Sequence, residues 1–237
     1  MVTVQRAEAA TVDKDTRSAQ PPPLQRGRDG PWRDCTQRAR NGSANIGPPQ
    51  GGQALNVLVL HGSARSGGNS DTLAERVLEG LAGSIPPGVT HFRPIDMDIG
   101  HCRACGHCSD GQGCVLNDDM QGVYPRFCEA DVVVVAAPMF WGYMTSQLKT
   151  LFDRLEAIAT EQCFGNKDFV LLVTYRHYYG SIVEWLDRIA KGFGSRSHAV
   201  LCRTFDLSTG QDLPIATFPD TLHEAFSLGK ALQRRGR

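Results

Sequence analysis

The sequence predicts an α/β fold: a five-stranded parallel sheet with helices on both faces, behind a disordered N-terminal extension. Three observations predict it. From Ala54 onward, apolar runs of strand length alternate with stretches whose apolar residues recur at helical spacing. The runs are rich in Val and Leu without polar alternation, as expected of strands buried on both faces. Strand and helix alternating in this way imply parallel strands joined by crossover helices.

Residues 1–53 contain Pro21-Pro22-Pro23, Pro48-Pro49, many Arg, Gln, Gly and Ala, and few large apolar side chains. Such a composition cannot bury enough surface to offset the entropy of ordering, so this stretch is read as disordered. Glu8, Asp13, Asp15, Asp29 and Asp34 make it too acidic for a transit peptide. The folded domain is therefore 54–237.

Leu55 to Leu60 is the first buried strand, stopped by Gly62. A helix follows from about Ser70 to Leu81, with Leu73, Val77, Leu78 and Leu81 on one face. Thr90 to Ile95 is a weaker second strand, expected near the sheet edge. Asn117 or Asp118 caps a helix to about Cys128, and Val132 to Ala137 is the third strand, ended by Pro138. The next helix starts near Ser146, with Leu148, Leu151, Phe152, Leu155 and Ile158 on its apolar face. Phe169 to Thr174 is the fourth strand, and Ile182, Val183, Leu186, Ile189 and Phe193 stripe the helix after it. Ala199 to Phe205 is the fifth strand, and Thr221 to Arg235 the closing helix.

Bulk properties narrow the function. With 237 residues, 41% of them apolar, one domain with a sizeable core is expected. A formal net charge of zero provides no field that would draw the chain to nucleic acid or an anionic membrane. No apolar run approaches the roughly 18 residues of a membrane span. The N-terminus lacks the charged-then-apolar profile of a secretory signal, so a cytoplasmic location is expected. Cys102, Cys105, Cys108 and Cys114 crowd one loop while Cys35, Cys128, Cys163 and Cys202 are scattered. That placement favours a metal or redox site over a disulfide framework.

In an open parallel sheet, ligands sit beyond the carboxyl ends of the strands where strand order reverses. For the order 2-1-3-4-5 that point lies between strands one and three. The loop leaving the first reads Gly62-Ser63-Ala64-Arg65-Ser66-Gly67-Gly68-Asn69-Ser70. Its glycines let several N–H groups converge, and Ser63, Ser66, Asn69, Ser70 and Arg65 add donors and a fixed charge. It opens into a helix N-terminus, whose dipole favours an anion. The lysine of a P-loop and the glycine spacing of a dinucleotide fingerprint are both missing, so a single phosphate fits best. The loop leaving the third strand, Pro138-Met139-Phe140-Trp141-Gly142-Tyr143-Met144-Thr145, sets aromatic side chains where they would wall a flat ring. A flat ring with a phosphate tail describes FMN.

At these residues the sequence resembles the NADPH-dependent FMN reductase group, and most closely its iron–sulfur flavoprotein branch, whose fold is flavodoxin-like. Gly62-Ser63-Ala64-Arg65 with Gly68-Asn69-Ser70 resembles the phosphate loop. Pro138 to Gly142, then Gln147-Leu148-Lys149 and Asp153-Arg154, resembles the flavin loop and its helix. Cys102-x-x-Cys105-x-x-Cys108 with Cys114 and Asp118-Asp119-Met120 resembles the branch's cysteine block. The likeness runs from about Ala54 to Leu155. It departs at Tyr175-Arg176-His177-Tyr178-Tyr179-Gly180, bulky where the family has a small Gly-rich loop.

The resemblance implies that Ser63, Arg65, Asn69 and Ser70 hold the FMN phosphate, with Ser66 beside them. It implies that Pro138, Met139, Phe140, Trp141 and Gly142 line the isoalloxazine, mostly through backbone N–H groups. Tyr175 is read with the cofactor site, and with Arg176 and Tyr178 on the acceptor side. Lys149, Asp153 and Arg154 are read as structural. Cys102, Cys105, Cys108 and Cys114 are a candidate 4Fe–4S ligand set; plain thiols and, less naturally, zinc remain open. The expected activity is ping-pong hydride transfer from NAD(P)H to FMN and on to a small acceptor: a quinone, a flavin, or a nitro or azo aromatic. The flavin carries that chemistry, so no catalytic side chain is assigned. The alternative is an iron–sulfur electron carrier working from ferredoxin. By family analogy a homo-oligomer, dimer or tetramer, is expected.

Overall fold

The computed structural model describes residues 54–83 and 86–235. The stretch 1–53, read as a disordered extension, lies outside the described residues. Five strands, β1 (Asn56–His61), β2 (Gly88–Phe92), β3 (Val132–Pro138), β4 (Asp168–Tyr175) and β5 (Arg196–Arg203), form one sheet in the order β2-β1-β3-β4-β5. Every pairing in it is parallel. The helices are α1 (Asn69–Leu81), α2 (Met120–Glu129), α3 (Ser146–Arg154), the single turn α4 (Glu161–Phe164), α5 (Ile182–Gly192) and α6 (Pro219–Arg235).

Alternation along each strand splits the core in two. Leu58, Leu60, Val133, Val135, Phe169 and Leu171 pack with Phe127 of α2, Leu148 and Leu151 of α3, and Leu186 of α5. Val57, Val59, Val132, Val134, Val170 and Leu172 pack with Leu73 and Val77 of α1 and Ala225 and Leu232 of α6. Each fully buried Val or Leu contributes about 1.5–3 kcal/mol relative to exposure, so continuous apolar strands are what this two-sided burial demands. On the second face α1 and α6 meet at glycines. A Cβ on Gly80 would stand 2.1 Å from the Phe226 carbonyl oxygen, and one on Gly229 equally close to that of Val77.

The structure moves several boundaries. β2 runs from Gly88 to Phe92, because Pro94, which lacks an N–H, opens a 3₁₀ turn over Pro94–Asp96. β5 starts at Arg196, three residues before the apolar run. Arg196 and His198 reach the Asp168 carboxylate on β4 at 2.8 Å, extending the edge strand through charge. The helix expected to run through Ile158 is α-helical only to Arg154 and tightens to 3₁₀ over Leu155–Ile158. The hairpin of β6 (Phe205–Asp206) and β7 (Gln211–Asp212) carries no apolar run and had no sequence signal.

One pairing was not anticipated. Cys128, at the end of α2, and Cys163, in α4, form a disulfide with an S–S distance of 2.00 Å. Among the described residues no helix is long and apolar enough to cross a membrane.

Candidate functional site

The β1 exit is held tight against its neighbours. Gly62 donates its amide to the Ala136 carbonyl at 2.8 Å, and a Cβ there would stand 2.8 Å from Leu148 Cδ2. Beyond it, Ser63 Oγ accepts the Arg65 amide at 3.0 Å, and Gly67 turns through φ +68°. Gly68 is the N-cap of α1 and brings no side-chain cap. Among the described residues no side chain caps the first-turn amides of Asn69, Ser70 and Asp71, leaving donors aligned with the helix dipole. Arg65 and Ser66 are exposed at the rim, and Ser63 and Ser70 are buried in the loop.

The β3 exit is a tight turn. Phe140 and Tyr143 exchange amide–carbonyl bonds at 2.8 and 3.0 Å. Trp141 at φ +51° and Gly142 at φ +77° occupy the two central positions, as in a type I′ turn. This geometry narrows the backbone donors. Pro138 has none, Met139 donates to the Thr174 carbonyl, and Phe140 to Tyr143. Among the described residues, only the Trp141 and Gly142 amides of this run have no acceptor. The Trp141 side chain is 96% exposed, beside Phe140 at 61%.

Thr145 joins the two loops. Its hydroxyl donates to the Gly62 carbonyl at 2.8 Å and accepts the Leu148 amide at 3.4 Å, capping α3 while holding the β1 exit. The third loop closes from the other side. Tyr178 lies against Gly142, where a Cβ would meet its Cε2 at 2.2 Å, and a Cβ on Gly180 would meet the Gly142 oxygen at 2.1 Å. Glycine is needed at both places. Tyr175 stacks edge-on with Tyr179, with Arg203 above its ring, so it packs as part of this wall. Arg176 pairs with Asp212 of β7 at 2.5 Å.

Asn69 differs from expectation. Its amide donates to the Leu213 carbonyl and accepts from the Ile215 amide, both at 2.9 Å. The side chain therefore pins the segment before α6 to the loop, and its backbone amide is what faces the helix mouth. Arg93, His61 and His91, which sequence reasoning passed over, form a polar layer behind the loop. Arg93 directly follows β2, and every strand exit shares the sheet's carboxyl edge, so its position was the available signal.

An uncapped helix start and an adjoining aromatic turn with two amides lacking acceptors among the described residues, tied by one hydroxyl at the strand-order reversal, suit FMN chemically. Residues 55–188 match the model of the NADPH-dependent FMN reductase family, a span holding both loops. The chain belongs to that family. The iron-sulfur flavoprotein of Methanosarcina thermophila is 33% identical over 108 residues, covering 42% of this chain and 52% of that protein. The putative NAD(P)H-dependent FMN-containing oxidoreductase YwqN of Bacillus subtilis is 30% identical over 101 residues, covering 42% and 51%. The chain thus spans about half the length of these curated relatives. The same fold occurs in an FMN-dependent NADH-azoreductase from Bacillus anthracis solved with FMN, with a TM-score of 0.56 at 13% identity over 75% of this chain and 99% of that one.

In this reductase-family domain the cysteine block is a loop anchored from below. Arg154, 1% exposed, donates to both Asp118 carboxylate oxygens and to the Gly100 carbonyl, closing the ends of the loop onto α3. Asp118 also accepts the Gly100 and Met120 amides; burial pushes its carboxyl up, and Arg154 together with these amides outweighs that and holds it below the usual range. The structural reading of Arg154 fits this geometry. Cys102 and Cys105 are exposed, Cys108 and Cys114 half-buried, and all four are free thiols. Burial pushes the Cys108 thiol up, and nearby Cys114, Glu156 and Cys102 add to this. Among the described residues no three His, Cys, Asp or Glu side chains are grouped to hold a metal.

Proposed function

We propose that this protein binds FMN without a covalent link and acts as an NAD(P)H-dependent oxidoreductase on a small acceptor: a quinone, a flavin, or a nitro or azo aromatic. The observation that carries this reading is the uncapped first turn of α1 set beside the Phe140–Tyr143 turn, the two joined through Thr145. The amides of Asn69 and Ser70, with the Ser66 hydroxyl and the Arg65 guanidinium, take the phosphate. The amides of Trp141 and Gly142 meet the polar edge of the ring, and Trp141, Phe140 and Tyr178 shield it from water. FMN, when bound, supplies the hydride-accepting chemistry. The chain binds and orients, and the oxidised nucleotide leaves before the acceptor enters, which makes the cycle ping-pong. Family membership and the name of the Bacillus subtilis relative support the donor and cofactor.

Stopped-flow mixing of FMN-loaded protein with NADPH, and separately NADH, tests the reading. Bleaching of the flavin band with either supports it, and flavin that stays oxidised with both overturns the reductase activity. Trp141→Gly adds a site-level check. Relief of the left-handed φ holds or raises stability by up to about 1 kcal/mol, while loss of the ring contact weakens FMN about tenfold. Melting curves and FMN fluorescence titration read the two effects, and unchanged FMN affinity removes Trp141 from the site.

The second reading is an iron–sulfur electron carrier fed by ferredoxin. It is favoured by four free thiols in one loop and by the name of the Methanosarcina relative. Iron and sulfide analysis of anaerobically purified protein separates the two: a stoichiometric 4Fe–4S content supports the carrier, and flavin alone supports the reductase. The exposed aromatic group at the flavin loop also supports a homo-oligomer, dimer or tetramer, which light scattering on the eluting protein measures.

A further inference from the structure

Asp71 poses an electrostatic problem for the site. It lies in the first turn of α1, one residue past Ser70, where a carboxylate would repel the phosphate that the helix mouth is read to hold. The structure shows what offsets it. Arg93, carried in from the edge of the sheet just after β2, is 16% exposed and Asp71 4%. One guanidinium nitrogen of Arg93 donates to Asp71 Oδ2 at 2.8 Å. The other donates to the Ser63 carbonyl at 2.7 Å and to the Arg65 carbonyl at 3.3 Å. Asp71 Oδ2 also accepts the Gly67 amide at 2.9 Å, and Oδ1 lies 2.8 Å from His61 Nδ1. His61 Nε2 lies 3.0 Å from His91 Nδ1, completing the layer. Asp96 stands 4.0 Å from Arg93 Nε at the solvent side.

We propose that Arg93 is the positioning residue of the phosphate loop: it neutralises Asp71 and draws the Ser63 and Arg65 carbonyls to one side, so that the loop presents donors to the anion. Doing both at once needs the fork of a guanidinium, one terminal nitrogen on the carboxylate and the other on the carbonyls. A carbonyl turned the other way would set a partial negative charge against the phosphate, and an unpaired Asp71 would add a full one. This rests on the reading of Gly62–Ser70 as the FMN phosphate site. It assigns selectivity for the phosphate, as distinct from the ring, to a residue outside both ligand loops.

Paired titrations with FMN and with riboflavin, which has the same ring and no phosphate, test the proposal by flavin fluorescence. Arg93→Met is expected to weaken FMN by about 10-fold to 100-fold and to leave riboflavin, which has no phosphate to lose, within about threefold of wild type. Asp71→Asn added to Arg93→Met is expected to restore part of the FMN affinity, since the uncompensated charge is gone while the Ser63 and Arg65 carbonyls stay unheld. Equal losses for FMN and riboflavin in Arg93→Met would assign Arg93 to the scaffold and overturn the proposal, as would an unchanged preference for FMN. Should Arg93→Met not fold, Arg93→Lys carries the test: it keeps a cation beside Asp71 without the fork, and absence of any FMN-selective loss overturns the proposal. A wild-type protein that binds FMN and riboflavin alike would instead sink the phosphate-site reading itself, a result distinguishable from failure of Arg93 alone.

Discussion

At 3% exposure, Lys167 holds its ammonium between the carbonyls of Cys128 and Ala130, to which it donates at 2.8 and 2.5 Å. Burial lowers its pKa to about 8, with Asp131 acting in the opposite direction. Between about pH 8 and the ordinary lysine value, the unfolded chain therefore binds more protons than the native one, so stability rises with pH across that window and has no slope from this group below it. The rise is expected to reach about 2–3 kcal/mol. Urea unfolding of wild type and Lys167→Met, thiols blocked, from pH 7 to 10.5 measures it, and parallel curves for the two would refute it. Sequence reasoning had no hold on Lys167, because only the fold surrounds it with carbonyls. The same holds for Thr145 and Arg93. Their residue types suit many surface roles, and the partners that assign them lie 83 and 30 positions away. The uncapped donors around Gly68, by contrast, were legible because the glycines and the helix start that create them are neighbours in sequence.

Helices α1 and α6 illustrate the element scale. Both were evident from their apolar stripes, yet neither stripe says how closely they approach. Gly80 and Gly229 decide that, each backbone resting against the other helix. An isolated helix would gain about 1 kcal/mol from Gly→Ala. Here the added methyl meets a carbonyl oxygen, and Gly80→Ala is expected to lose about 2–3 kcal/mol. Chemical denaturation gives the sign directly, and a stabilised Gly80→Ala protein would show that the helices can separate at no cost. Strand limits failed where ends are decided by something other than apolar content: Pro94 cuts β2 short, and the Asp168 pairs lengthen β5. The turn after β3 was expected as a lining of backbone donors. Its I′ geometry leaves only Trp141 and Gly142 for that role.

Across the whole molecule, the Cys128–Cys163 disulfide closes a loop of sequence separation 35 that contains β3 and α3. In the chain-entropy account a loop of that size stabilises by about 3–4 kcal/mol. Cys128→Ser with Cys163→Ser is expected to lower stability by about 2–4 kcal/mol, and dithiothreitol to do the same to wild type. Denaturation curves that coincide with and without reductant would show that the bond does not form in solution. Strand identity and the layering of helices follow from short continuous apolar runs and from apolar residues recurring every 3.6 positions, and a linear reading captures such patterns. The disulfide, the Arg93–Asp71 pair, the buried Lys167 and the glycine contact of α1 with α6 each depend on residues brought together from distant parts of the chain. Long-range distance is absent from local pattern, so it fell to tertiary packing to settle which cysteines bond, which cation faces which carboxylate, and how the phosphate loop is held.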